Sequence, residues 1–175
     1  MKRIIEKNER IFIAGSEGMV GSSIKRTLLK NHFYQANKLS NLLTPSRSEL
    51  DLLDNTSVKN WFRKEKPTIV ILAAAKVGGI HANSRYPTEF LLENIKIQTN
   101  VIEAALSERV RRLLFLGSSC IYPKYAIQPI KEEELLNGYL EKTNESYAIA
   151  KITGIKLCEA LRKQHNFDAI SLMPT

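Results

Sequence analysis

Two cysteines among 175 residues exclude a disulfide-stapled scaffold, and both read as reduced thiols. No apolar run approaches the ~20 residues that span a bilayer, so no membrane span is expected. The three histidines are scattered and make no metal-ligand cluster. His32 and His165 fall near expected helix ends and read as surface residues, while His81 is placed to approach a substrate. No internal repeat and no low-complexity segment is present. The N-terminus, Met1-Lys2-Arg3-Ile4-Ile5-Glu6-Lys7-Asn8-Glu9-Arg10, lacks the apolar core and small-residue cleavage site of a secretory signal, so the cytoplasm is the expected compartment. Acidic residues are outnumbered, giving a net charge of +8. The Lys and Arg residues are dispersed along several helices among glutamates, which reads as a solvated basic surface and argues against nucleic acid as a partner. A basic rim also suits a diphosphate substrate.

What is there is an ordinary globular composition, 43% apolar and 25% charged, in a length that suits one domain. Arg10-Ile11-Phe12-Ile13-Ala14 is a β-rich run that stops at Gly15, and residues 19–30 then show helical spacing through Val20, Ile24, Leu28 and Leu29. A second strand is expected at 40–44. Asp54 is a good N-cap for a helix through Val58, Trp61 and Phe62 that ends before Pro67. Residues 68–74 and 113–117 carry no polar alternation, as in central strands of a parallel sheet covered on both faces. Long amphipathic helices are expected at 88–106 and 143–164, and one more strand at 169–173. Strands alternating with helices imply an α/β fold, a doubly wound parallel sheet of Rossmann type. Ligands bind such sheets beyond the carboxyl ends of the strands. Gly15, residues 73–79 and residues 118–120 all fall there.

Gly15, Gly18 and Gly21 let the backbone turn sharply towards a pyrophosphate, whose charge meets amides at a helix N-terminus. The bland alternative is a tight turn without ligand. Arg47, near the end of the second strand, suits the 2′-phosphate of NADP, while the carboxylate of Glu17 in the glycine loop points the other way. Tyr147 and Lys151 share one helix face, so the ammonium is expected to stabilise the phenolate, lowering its pKa and fitting Tyr147 to give a proton to a carbonyl oxygen. A plain surface Tyr and Lys pair is the alternative. Ser118 follows a central strand and is placed to orient the same oxygen, with Ser119 as its neighbouring alternative. Cys120 lies two residues on, either as a thiol that takes a proton from carbon or as buried packing. Cys158 reads as core.

These segments together have a resemblance. Ile13-Ala14-Gly15 with Gly18-Met19-Val20-Gly21, Leu72-Ala73-Ala74-Ala75-Lys76-Val77-Gly78-Gly79-Ile80, Leu116-Gly117-Ser118-Ser119-Cys120-Ile121-Tyr122-Pro123 and Tyr147-Ala148-Ile149-Ala150-Lys151 resemble the GDP-L-fucose synthase family. That family belongs to the extended short-chain dehydrogenase/reductases. The resemblance runs from Arg10 to Thr175, making 10–175 a dinucleotide-binding domain and 1–9 an N-terminal extension. It implies epimerisation of GDP-4-keto-6-deoxy-D-mannose at C3 and C5 and NADPH reduction at C4, giving GDP-L-fucose. It further implies that Ser118, Tyr147 and Lys151 form the reductase triad, that Cys120 is the epimerisation base and that Lys151 also bonds the nicotinamide ribose. Gly15, Gly18, Met19, Val20, Gly21, Arg47, Ala73, Ala74 and Ala75 would line the NADP(H) site. A homodimer pairing the two long helices is implied as well. Members commonly carry an arginine in the glycine loop where this chain has Glu17, so NADP preference rests on Arg47. The family also continues past the position of Thr175 into a substrate domain that supplies a histidine acid, so the chain is expected to bind NADP(H) with weak or no turnover alone. The rival readings are another nucleotide-sugar epimerase, dehydratase or reductase, and a non-catalytic NADP(H)-binding module.

Overall fold

The computed structural model describes residues 5, 9–30 and 41–174. The expectations for His32, for Ser40 and for most of the N-terminal extension lie outside them. The element order is β1 (Ile11–Ala14), α1 (Met19–Lys30), β2 (Leu42–Leu43), α2 (Asn55–Glu65), β3 (Ile69–Leu72), α3 (Ile80–Arg85), α4 (Pro87–Ser107), β4 (Arg112–Leu116), α5 (Glu145–His165) and β5 (Ala169–Leu172). The five strands form one parallel sheet in the order β2-β1-β3-β4-β5. Strand order reverses between β1 and β3, whose register pairs Ile11 with Ile69 and Ala14 with Leu72. A crevice at that reversal is where doubly wound sheets take ligands.

Alternation along the strands feeds two apolar layers. Phe12, Ala14, Val70, Leu72, Leu113 and Phe115 face a large core with Val58 and Phe62 of α2, Val101 and Ile102 of α4, and Ile155 and Cys158 of α5. Ile11, Ile13, Ile69 and Ile71 face a smaller one with Leu28 of α1. Every residue of β1 and β3 is buried, as the unbroken apolar runs predict. β4 differs: Leu113 and Phe115 are buried, but Arg112, Leu114 and Leu116 are only half-buried. The smaller layer is centred on β1 and β3, so its cover thins over β4.

Local signals account for the helix ends. The Asp54 carboxylate accepts from the amides of Thr56 at 2.9 Å and Ser57 at 3.3 Å and so caps α2. α2 closes on Lys66 in the left-handed region ahead of Pro67. The six-residue α3 was not expected from the pattern, because its N-cap is Gly79, with no capping side chain, and it is too short to show a period.

Candidate functional site

The glycine loop is built by steric necessity. Gly15 has φ +83°, and a Cβ there would lie 2.7 Å from the Cα and N of Ala74; at Gly21 a Cβ would lie 2.1 Å from the Gly15 carbonyl oxygen. Only glycines let β1, the exit of β3 and the start of α1 approach this closely. The Gly18 amide donates to the Gly15 carbonyl at 3.1 Å, and α1 begins one residue later. A cleft of about 700 Å³ opens on this loop. Its walls include residues 15–21, Arg47, Asp51 and residues 73–77. Ser16 is 4% exposed, and its hydroxyl has no partner among the described residues. A buried donor and acceptor beside free helix amides fits the oxygens of a phosphate. The residues present therefore fit a dinucleotide. Every expected cofactor-binding position except Lys151 lies in these walls, and Glu17 and Arg47 line the same cleft.

One wall is pinned by a residue that the pattern reading missed. Asn94 on α4 is 2% exposed. Its Oδ1 accepts from the Lys76 amide at 2.8 Å, and its Nδ2 donates to the Lys76 carbonyl at 3.0 Å. The side chain thus stands in for a neighbouring strand and holds the exit of β3 extended. Lys76 also pairs with Glu93 across 2.6 Å at the edge of the cleft. The available signal was an amide on the apolar side of a helix, where nothing but a backbone partner could satisfy it.

Ser118, Cys120, Tyr147 and Lys151 gather beside the cleft rather than in its walls. Leu72 pairs with Phe115, so the ends of β3 and β4 carry residues 73–75 and residues 117–120 side by side. Ser118 is extended, and residues Ser119–Ile121 form a 3-10 turn that brings the Cys120 thiol back to donate to the Ser118 hydroxyl at 3.1 Å. Lys151 reaches from α5 to donate to the Leu116 carbonyl at 2.8 Å, with its ammonium 5.0 Å above the Phe115 ring. Tyr147, one turn earlier, packs edge-on to Phe90. Its ring centroid is 5.8 Å from the Lys151 ammonium. His81 is exposed on α3 and does not line the cleft, and His165 is exposed at the end of α5, as expected.

Burial governs the titration of this group. Lys151 is 4% exposed, and desolvation draws it down to about 8, with Cys120 opposing. Cys120 is pushed up by burial, against a hydrogen bond to Ser118, its own backbone and the charge of Lys151. Tyr147 is also pushed up, by burial and then by Cys120, with Ser118 opposing. The lowered phenol expected from the Tyr147 and Lys151 spacing is therefore corrected. The ammonium is turned to the Leu116 carbonyl, and desolvation of the phenol outweighs the Ser118 hydrogen bond that favours the phenolate. Cys158 is buried core, pushed up to about 11 by the same cause. Among the described residues no cluster of His, Cys, Asp or Glu could hold a metal ion, and no helix is long and apolar enough to cross a membrane.

The family described as NAD dependent epimerase/dehydratase matches residues 11–175. The chain is 56% identical over 170 residues to GDP-L-fucose synthase 1 of Arabidopsis thaliana, covering 97% of this chain and 51% of that one. It is 53% identical over 167 residues to GDP-L-fucose synthase of Escherichia coli, covering 95% and 50%. A solved GDP-mannoheptose C4 reductase from Campylobacter jejuni, with NADP bound, superposes with a TM-score of 0.90 at 37% identity, covering 97% and 52%. The chain thus spans about half the length of the curated relatives it matches.

Proposed function

Because the chain belongs to the NAD dependent epimerase/dehydratase family, we propose that it binds NADP(H) in the β1/β3 crevice and serves the two-part reaction of a GDP-L-fucose synthase. In that reaction GDP-4-keto-6-deoxy-D-mannose is epimerised at C3 and C5 and then reduced at C4. The observation that carries the reading is the gathering of Ser118, Cys120, Tyr147 and Lys151 at the strand ends beside a dinucleotide-sized cleft. Identities above 50% to two GDP-L-fucose synthases support the substrate.

When bound, NADPH supplies a hydride to the C4 carbon. Tyr147 gives its phenolic proton to the C4 oxygen, a role suited to a phenol that burial keeps protonated. Ser118 hydrogen-bonds that oxygen and orients it. Lys151 contributes a fixed positive charge below about pH 8 and bonds the nicotinamide ribose. Cys120, as thiolate, takes the proton from C3 and then from C5, and each carbon regains a proton on its opposite face from an acid outside these four residues. Arg47 would hold the 2′-phosphate, and amides at the start of α1 would hold the pyrophosphate. A second reading, C4 reduction without epimerisation, is favoured by one observation: burial pushes the Cys120 thiol away from the thiolate a base requires. Two free thiols suit a reducing compartment, and the reading places the protein in the cytoplasm. A homodimer through α4 and α5 is part of the reading, supported by Leu92 and Ile149 exposed on those helices.

The test is NADPH oxidation with GDP-4-keto-6-deoxy-D-mannose, followed by absorbance beside a Tyr147→Phe control. Turnover that falls by about 100-fold or more in the control supports the reading. Measurable turnover that is equal in both, or no NADPH binding by the parent in calorimetry, rejects it.

A further inference from the structure

We propose that Gln98 is a positioning residue that, through the Ala150 carbonyl, holds α5 in the register at which Tyr147 and Lys151 meet the end of β4. The proposal rests on the reading of those two residues as the proton-handling pair. Gln98 lies on α4 and is 3% exposed, and its Nε2 donates to the Ala150 carbonyl at 2.8 Å. That carbonyl belongs to the peptide unit joining Ala150 to Lys151. Inside a helix it already serves the amide four residues on, so the donor from α4 is a second bond made to the catalytic turn itself.

The next turn closes the arrangement. A Cβ at Gly154 would lie 2.4 Å from Phe115 Cζ and 2.9 Å from Gln98 Oε1. Gln98, Gly154 and Phe115 therefore meet where α4, α5 and β4 pack together. Phe115 is also the ring beneath the Lys151 ammonium. Apolar residues of α4 such as Val101 and Ile102 set how far apart the layers stand, but apolar contact is non-directional and does not fix a position along the helix axis. A hydrogen bond does. A slip of α5 by about 1 Å would carry the 2.8 Å bond from Lys151 to the Leu116 carbonyl out of range. Cys120 and Tyr147 are the titratable side chains that face Lys151: its charge favours the Cys120 thiolate, and the Tyr147 ring centroid lies 5.8 Å from its ammonium.

The test reads Lys151 directly, by its ¹³Cε resonance in lysine-labelled chain, assigned by its loss in Lys151→Met. In Gln98→Met, which keeps the size and removes the donor, the Lys151 midpoint is expected to rise by about half a unit or more as its carbonyl bond opens to water. The Kd for NADP⁺ is expected to rise about tenfold, with far-UV circular dichroism and the other lysine midpoints unchanged. Gln98→Glu supplies the rescue: near pH 5.5 a buried neutral carboxyl can donate in place of the amide, and the Kd stays within about twofold of the parent. Near pH 9 the ionised carboxyl cannot donate, and the Kd is about tenfold above the parent. A Lys151 midpoint unmoved in Gln98→Met overturns the proposal, as does Gln98→Glu matching the parent at both pH values. If Gln98→Met does not fold, the pH pair on Gln98→Glu decides. A parent that binds no NADP⁺ counts against the functional reading instead, and the Lys151 midpoint then judges Gln98 alone.

Discussion

Lys151→Met is expected to make the protein more stable at neutral pH while weakening the site. Lys151 is held at about 8, against an ordinary value of 10.5, because it is desolvated, with no carboxylate among the described residues to offset that. At pH 7 both the folded and the unfolded chain keep the proton, and holding it in the folded state costs about 3 kcal/mol. The folded value is the lower one. Between about pH 8 and 10.5 the unfolded chain therefore holds more protons, and the parent gains stability as pH rises through that window. At pH 9.5 the remaining cost is about 1.4 kcal/mol. Methionine carries none of it, but forfeits a hydrogen bond worth about 1 kcal/mol to the Leu116 carbonyl. The variant should exceed the parent by about 2 kcal/mol at pH 7, and that margin should shrink by about 2 kcal/mol at pH 9.5. Cys120, Tyr147 and Cys158, all pushed up, act in the opposite sense in both proteins, so their direct contributions largely cancel in the difference. The assay is urea unfolding followed by the fluorescence of Trp61, the one tryptophan, packed 4.4 Å from the Phe12 ring. A margin of about 2 kcal/mol moves the midpoint by about 1 M urea. A margin that is the same at both pH values refutes the burial argument, and a variant less stable at pH 7 refutes its size.

Gly21→Ala should lose NADPH binding in calorimetry and lower the melting temperature by about 5 °C or more, because its Cβ would meet the Gly15 carbonyl at 2.1 Å; a parent-like Tm would contradict the packing of the loop. Arg47→Ala should weaken NADPH about tenfold and leave NADH unchanged, whereas Glu17→Gln should tighten NADPH severalfold, as titration of each cofactor would show. Equal effects on both cofactors would remove these residues from the 2′-phosphate site. Cys120→Ser should abolish deuterium uptake from solvent at C3 and C5 while NADPH binding stays within about twofold of the parent; persistent uptake would dismiss Cys120 as the base.

The strands and long helices were legible because their signals are local. Apolar runs, an Asp at an N-cap and a proline after a helix each carry their physics within a few residues, and β1, β3, α1 and α2 appeared within a residue or two of expectation. The glycine loop was legible for the same reason, since the clash at Gly21 involves a carbonyl only six residues away. What the sequence hid depends on pairs far apart in the chain. Asn94 bonds Lys76 across 18 residues, and Gln98 bonds Ala150 across 52. Either amide, read in its own helix, is only an interruption of an apolar stripe. The Tyr147 titration misled for a related reason. The four-residue spacing correctly placed the phenol and the ammonium on one face, but not the depth at which they are buried, and depth decides the sign.

That depth also separates the two halves of the proposed reaction. At neutral pH the group holds a protonated phenol, a protonated thiol and a single ammonium. This is the state that proton donation needs: Tyr147 has its proton, and Lys151 supplies positive charge beside it. Abstraction from C3 or C5 needs the opposite at Cys120, a thiolate in a site that burial disfavours. Lys151 works against that burial as a cation and is drawn down to about 8, so raising the pH removes a charge that stabilises the thiolate. The reductive half should therefore fall as pH rises through about 8, as the ammonium is lost. The epimerising half gains thiolate from the rising pH itself but loses that stabilising charge over the same range. Proton exchange at carbon and hydride transfer, measured separately across pH 6.5 to 9.5, should consequently give different profiles. Profiles that superpose would mean that one titration governs both, and that Cys120 takes no proton of its own.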